Sequence, residues 1–247
     1  MNITRGIGIQ TDPAIRRLSA FRPINEVTTA ALDRALRERV LRIDAGQDLI
    51  AEGDRPDRIR IVLSGWLARY KTLEDGRRQI VNFVLPGDSC DALAYLLPRQ
   101  DHSISSLTAV MYSEIDPERL EVLMASDQML AEAVLCEALA NCSIQREWAV
   151  NIGRRMALER VAHLLCEIFE RLRTVRLLLN GDSCGLPVTQ TDLADATGLS
   201  VVHLNRTLQE LRAAGLIVLR ERILTICDLP ALRNAGLFSP LYLHSAG

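Results

Sequence analysis

The hydrophobic period of this chain changes near residue 116, and the change divides the fold into a β-rich part and a helical one. Between residues 40 and 115, runs such as RIRIVL, WLARYKTL and QIVNFVL are separated by Gly46, Gly53, Gly65, the pair Asp75-Gly76 and PGD at 86–88. Short β-prone runs punctuated by turn residues every ~8–12 positions predict a sandwich or barrel. Asp-Gly between two alternating strands suits a tight hairpin. The expected N-terminal architecture is a jelly roll.

From DPERLEVLMASDQMLAEAVLCEALANCSIQREWAVNIG onward the period is helical. Asp127 is placed to cap a long helix, and Ala131, Leu135, Ala138, Cys142, Gln145, Ala149 and Ile152 recur at steps of three and four along one face. Met129, Ala133, Cys136 and Ala140 form a second stripe on another face. Two apolar faces require two partners: the roll for one and a second copy of the helix for the other. The alternative is a helix buried wholly within its own subunit. Gly153 is expected to end this helix. A further amphipathic helix follows, with Leu158, Val161, Leu165 and Ile168 inward, then a loop at NGDSCGLP. The expected division is a roll over 15–125, a long helix over 126–153 and a C-terminal domain over 154–247, an α+β fold.

Charge is nearly balanced, with 29 basic and 31 acidic residues, so the chain as a whole is no polyanion binder. Its distribution is uneven. Residues 154–247 carry 11 arginines against nine acids, an excess opposite in sign to the rest of the chain. Six cysteines, at 90, 136, 142, 166, 184 and 227, include no Cys-x-x-Cys pair and read as reduced, mostly buried thiols rather than disulfides or a zinc site. No apolar run approaches a membrane span and the first residues lack a secretory core, so a cytoplasmic location away from membranes is expected.

The segment TQTDLADATGLSVVHLNRTLQELRAAGLI carries the sharpest functional signal. Thr189 caps a short helix with Asp192 three positions on. Ala194 is small enough for a second helix to cross nearby, Gly198 permits a left-handed corner, Leu199 plugs it and Ser200 caps the next helix. Leu204, Leu208 and Leu211 form that helix's core stripe. Left outward at its start are Val201, Val202, His203, Asn205 and Arg206. This is a helix-turn-helix, whose second helix meets base edges in the DNA major groove. Arg206 suits a bidentate guanine contact and the valines suit thymine methyls. Thr189, Gln190 and Ser200 complete the DNA-facing set. GLIVLRERILTIC then reads as a two-stranded wing with Arg220 and Arg222 at its tip, positioned for phosphates. The plainer alternative is a helical hairpin with a solvated arginine face.

With SGWLARYKTLEDGRRQIVNFVLPGD in the roll, the long helix, and the winged helix-turn-helix, the chain resembles Crp/Fnr-family bacterial transcription regulators from about residue 20 to 235. The resemblance implies a cyclic-nucleotide-binding-like sensor roll, a homodimer joined through the long helix, a two-fold symmetric promoter site and RNA polymerase as a partner. Family members commonly carry a glutamate and an arginine on the recognition helix. Arg206 falls on the arginine position, but Val202 stands where the glutamate would be, which alters the expected half-site.

Cyclic-nucleotide-binding relatives hold the ligand with a Gly-Glu-Leu segment and a later Arg-Ser or Arg-Thr pair. Here the segment is PGDSCDALAYLLPRQDHSIS. Asp91 replaces the glycine, Ala92 the glutamate, and His102 before Ser103 the arginine. A carboxylate beside a phosphate is repulsive and neutral histidine is a poor substitute for guanidinium, so ordinary cAMP gating is not expected. The candidate effector pocket is Cys90, Asp91, Ala92, Arg99, His102 and Ser103, with Arg99 a conceivable substitute cation and His102 read as a surface loop residue. Oxygen-sensing relatives ligate an iron–sulfur cluster with N-terminal cysteines, but no cysteine precedes Cys90. Cys90 and Cys142 are candidates for a redox or small-molecule switch, against the alternative of inert buried thiols. No cofactor and no metal is expected. The four histidines at 102, 163, 203 and 244 are isolated and no nucleophile–base motif occurs, so catalysis is not expected either. The remaining alternative is a degenerate dimeric module that has lost specific DNA binding.

Overall fold

A computed structural model of the chain describes residues 11–244. Among these described residues two helices precede the roll, α1 (Asp12–Ser19) and α2 (Glu26–Glu38). Asn25 caps α2 by accepting from the Thr28 amide, and Leu32, Ala35 and Leu36 bury one side of it. Seven strands follow: β1 (Val40–Ile43), β2 (Asp48–Ile50), β3 (Ile59–Ser64), β4 (Leu67–Thr72), β5 (Arg78–Val84), β6 (Ser103–Ser106) and β7 (Val110–Ile115). They form two antiparallel sheets, ordered β1-β7-β3 and β2-β6-β4-β5. Ile50, Val62, Leu67, Val84, Ile104 and Val110 fill the space between them. The expected jelly roll therefore takes the form of two sheets enclosing one core. Gly76, at φ +85°, turns the β4–β5 hairpin as Asp-Gly predicts.

Helices α3 (Pro117–Ser126) and α4 (Gln128–Arg154) come next. Asp127 caps α4 through the Met129 amide and also accepts from Asn25 Nδ2 at 2.7 Å, joining the starts of α2 and α4. One side of α4 is buried through Leu130, Ala133, Val134, Ala140, Ile144 and Trp148. The other side is bare: Leu135, Leu139 and Val150 are 53%, 66% and 47% exposed, and Cys142 and Ala149 are exposed beside them. Ala131 and Ala138 are half-buried.

Gln145 and Ile152, assigned by spacing to the bare stripe, turn elsewhere. A β-bulge leaves Val81 outside the β4–β5 register, and Gln145 Nε2 donates to its carbonyl at 2.9 Å. Ile152 lies toward the Gly198 corner. Nor does Gly153 end the helix. The chain stays helical to Arg154 and breaks at Arg155, since a glycine without positive φ costs only ~1 kcal/mol in a helix that tertiary packing supports.

Helix α5 (Ala157–Thr174) leads into β8 (Ser183–Gly185), α6 (Gln190–Thr197), α7 (Val201–Ala213), β9 (Ile217–Arg220), β10 (Ile223–Ile226) and α8 (Leu229–Ala235). Val161, Leu165 and Ile168 are buried on α5, with Leu158 partly so. The segment read as a loop at NGDSCGLP contributes β8, a third strand of the wing, in the order β8-β10-β9. Asn180 and Gly181, both at positive φ, fold it back so that Cys184 pairs with Leu224.

One hydrophobic core crosses from the roll into the C-terminal domain. It joins Trp66, Ile80 and Phe83 to Ile144 and Trp148 of α4 and to Leu165, Ile168 and Phe169 of α5. Within it, Arg171 Nη2 donates to Asp88 Oδ2 at 2.6 Å and to the Phe83 carbonyl at 2.7 Å, while Nη1 reaches Asn82 and Glu167. Arg17 of α1 meets the other Asp88 oxygen at 3.4 Å. Glu167 accepts from the Trp148 indole and the Tyr242 hydroxyl. Gly87, at φ +98°, allows α1 to lie against this turn, because a Cβ there would fall 2.6 Å from the Pro13 carbonyl oxygen.

Removing one member of a buried ion pair strands the other in low dielectric. Asp88→Ala is expected to cost about 3–5 kcal/mol in urea unfolding. Arg42→Ala, at the exposed Arg42–Asp44 pair, is expected to cost less than about 1 kcal/mol. Equal losses would contradict the junction's role.

Candidate nucleic-acid interface

The first helix of the motif is built by its cap. Thr189 Oγ1 accepts from the Asp192 amide at 3.1 Å, and Asp192 Oδ2 accepts from the Thr189 amide at 3.0 Å, a reciprocal capping box. Gly198 ends α6 at φ +64°, in the left-handed region. Ser200 Oγ then accepts from the His203 amide at 3.2 Å, starting α7. Ala194 is buried where the helices cross, and Leu204, Leu208 and Leu211 are fully buried beneath α7. The inward face of the motif is therefore fully committed to packing.

What faces outward is the set read from the sequence. Ser200, Val201, Val202, His203 and Arg206 are exposed, Val202 at 76%, and Asn205 is half-exposed. Thr189 and Gln190 are exposed at the start of α6. Asn205 Nδ2 donates to Gln190 Oε1 at 3.3 Å, and Gln209 Nε2 donates to Asn205 Oδ1 at 3.2 Å. Gln209, absent from the sequence-based set, thus extends the polar face; its i,i+4 spacing from Asn205 was the available signal. The first turn of α7 holds no acid, so its dipole favours anions. At the wing, Glu221 and Arg222 adopt φ +50° and +61°, the tight turn between twisted strands, and Arg220 and Arg222 are exposed around it.

The motif is held against the roll by contacts between segments that no local spacing relates. Arg78, on the β4–β5 hairpin, donates to Asp192 at 2.8 Å and to Asp195 at 2.9 Å, and Gln79 Nε2 reaches the Asp195 carbonyl at 2.5 Å. Arg160 Nη1 donates to the Thr197 carbonyl at 2.7 Å. These bonds act on the roll-facing side of α6 and leave the start of α7 uncovered.

The candidate effector residues gather around a buried arginine. Arg69, 6% exposed, donates through Nη2 to Asp91 Oδ1 at 2.7 Å and through Nε to His102 Nε2 at 3.0 Å. His102 Nδ1 faces Asp101 Oδ1 at 2.7 Å. His102 is therefore buried, not a surface loop residue, because Arg69 Nε and the Asp101 carboxylate satisfy its two ring nitrogens. Burial alone would raise the Asp91 carboxyl, but the Arg69 guanidinium holds it below the usual carboxylate range. Arg99 donates instead to the Gly53 carbonyl at 2.8 Å, and Ser103 Oγ accepts from the Glu52 amide. Ala92 is buried. Burial pushes the Cys90 thiol up to about 12, away from thiolate reactivity; Cys142 is exposed on the bare face of α4.

Among the described residues no group of His, Cys, Asp and Glu is arranged to hold a metal, and no helix is long and apolar enough to cross a membrane.

Known proteins with this arrangement define its class. Residues 40–127 match the cyclic nucleotide-binding domain and residues 159–235 the Crp-like helix-turn-helix domain. The nitrogen fixation regulation protein FixK of Bradyrhizobium diazoefficiens is 32% identical over 207 residues, covering 81% of this chain and 85% of its own. The transcriptional activator protein FnrL of Cereibacter sphaeroides is 29% identical, over 72% of each chain. The structure of FixK2 from Bradyrhizobium japonicum superposes with a TM-score of 0.71 at 23% identity, over 81% of this chain and 98% of that one. The chain belongs to the Crp/Fnr family of DNA-binding transcription regulators.

The cap at Ser200 separates folding from recognition. Ser200→Ala is expected to lower stability by about 1 kcal/mol in urea unfolding. Ser200→Asp is expected to keep the cap and the stability but weaken DNA binding by setting a carboxylate where a phosphate approaches. A destabilised Ser200→Asp variant with undiminished DNA affinity would contradict this geometry.

Proposed function

We propose that two copies of the chain, joined along the bare face of α4, bind a two-fold symmetric promoter site and regulate transcription there through RNA polymerase. The observation that carries this reading is the start of α7, where two exposed valines and Arg206 project beside a capped, acid-free helix N-terminus. Val201, Val202, His203, Asn205 and Arg206 meet base edges; Thr189, Gln190, Ser200, Arg220 and Arg222 meet phosphates and fix the register.

Leu135, Ala138, Leu139, Cys142 and Ala149, with Ala131 at one end, supply the dimer seam, because an apolar stripe of this length on an otherwise packed helix needs a partner. Productive binding needs the two recognition helices about 34–36 Å apart. Any signal reaching the roll would act by moving them relative to one another through the junction of β5, α4 and α5. Ordinary cAMP is not that signal, since Asp91 and His102 occupy positions where an anionic ligand needs amides and a guanidinium. FnrL is a transcriptional activator, and that likeness favours activation at the promoter.

Fluorescence anisotropy on duplexes selected from random sequence tests the reading. Arg206→Ala is expected to cost about 1–3 kcal/mol at one guanine position and relax preference there. Arg222→Ala is expected to weaken all sites alike and reduce the slope of log K against log salt by about 1. Wild type and Arg206→Ala binding every duplex equally would instead mark a dimeric module without sequence recognition.

A further inference from the structure

We propose that the roll carries a tethered effector: the Asp91 carboxylate occupies the cationic seat made by Arg69, in place of a diffusible phosphate-bearing ligand. The inference concerns the roll alone and is independent of how the chain reads DNA. A domain that takes cyclic nucleotides must neutralise one phosphate charge away from bulk water, which needs a fixed cation. In this roll the cation is Arg69 on β4. Its side chain is 7% exposed, and the Asp91 side chain is 28% exposed, so the carboxylate covers the guanidinium from the solvent side. His102 braces the guanidinium from its other side, its Nε2 accepting from Arg69 Nε at 3.0 Å.

Three further observations agree. Asp91 is held at φ +64°, a conformation that side-chain-bearing residues adopt rarely, and this backbone turn is what aims the carboxylate back at β4. Three neighbouring amides are engaged within the protein: Cys90 donates to the Arg60 carbonyl of β3, Ala92 to Ser89 Oγ and Ala94 to the Asp91 carbonyl. The other nearby arginines are engaged elsewhere, Arg60 with Glu114 and Arg99 with the Gly53 carbonyl. An internal anion at effectively fixed concentration keeps the seat filled without a signal molecule.

The test is isothermal titration of the full chain with inorganic phosphate and, separately, with 3′,5′-cyclic AMP. Wild type is expected to bind phosphate only weakly and cyclic AMP no better. Asp91→Gly, which relieves the left-handed residue and uncovers Arg69, is expected to gain affinity for phosphate by roughly 10- to 100-fold, the worth of one charge-assisted hydrogen bond. Tighter binding of cyclic AMP than of phosphate would add that a nucleoside fits beside the seat; equal binding would limit it to the anion. Either supports the proposal if Arg69→Gln in the same background abolishes the gain. Asp91→Asn, which keeps the volume and tolerates the same backbone, is read in parallel and purified in phosphate buffer, where the buffer supplies the missing anion. Wild type binding as tightly as Asp91→Gly, a folded Asp91→Gly with no gain, a gain that survives loss of Arg69, or a fold that neither variant keeps even in phosphate would each overturn it.

Discussion

Helix α4 has two apolar faces, and the chain on its own can bury only one of them. Leu130, Ala133, Ile144 and Trp148 are covered by the roll, α1 and α5, and that side fixes where the helix lies. Leu135 and Leu139 are left in water. Burying an apolar side chain is worth about 1.5–3 kcal/mol, so two copies of this stripe meeting along several helical turns provide the driving force for association. A two-fold axis along α4 would turn one recognition helix into a pair, which is why the proposed symmetric site follows from the helix rather than from α7.

The position of the DNA-reading motif depends in turn on Asp88. This carboxylate, in the turn after β5, receives Arg171 from the C-terminal domain and Arg17 from α1, all three side chains being buried. Such charges contribute less to net stability than a hydrophobic replacement of equal volume would, because their desolvation is costly. What they provide is a unique docking geometry. Arg171 binds Asp88, Asn82 and the Phe83 carbonyl together, so α5 cannot slide along β5 without breaking all three. The Arg78 clasp on Asp192 and Asp195 extends the same hold to α6.

Local devices were legible in the sequence. The Thr189–Asp192 box, the Gly198 corner, the Ser200 cap and the leucine stripe each involve residues within one or two turns of helix, and spacing alone determines them. The roll was legible through its alternating runs, and the exposed residues of α7 by subtraction of its core stripe. The misreadings have distant causes. Gln145 leaves the bare stripe because a bulge 64 positions away frees the Val81 carbonyl, and His102 is buried because Arg69, from another strand, bonds it. Strand β8 has no sequence signature because three residues show no period of their own. The clasp of Arg78 on Asp192 spans 114 positions, and nothing in either segment names the other.

The two-copy arrangement is the claim on which the DNA-binding geometry rests, and sedimentation equilibrium of the full chain tests it most directly. Wild type should sediment at twice the mass of one chain at micromolar concentration, and Leu139→Glu with Leu135→Glu should give a folded species of single-chain mass. A wild type that sediments as one chain while still binding a symmetric site, or a double variant that remains paired, would contradict it.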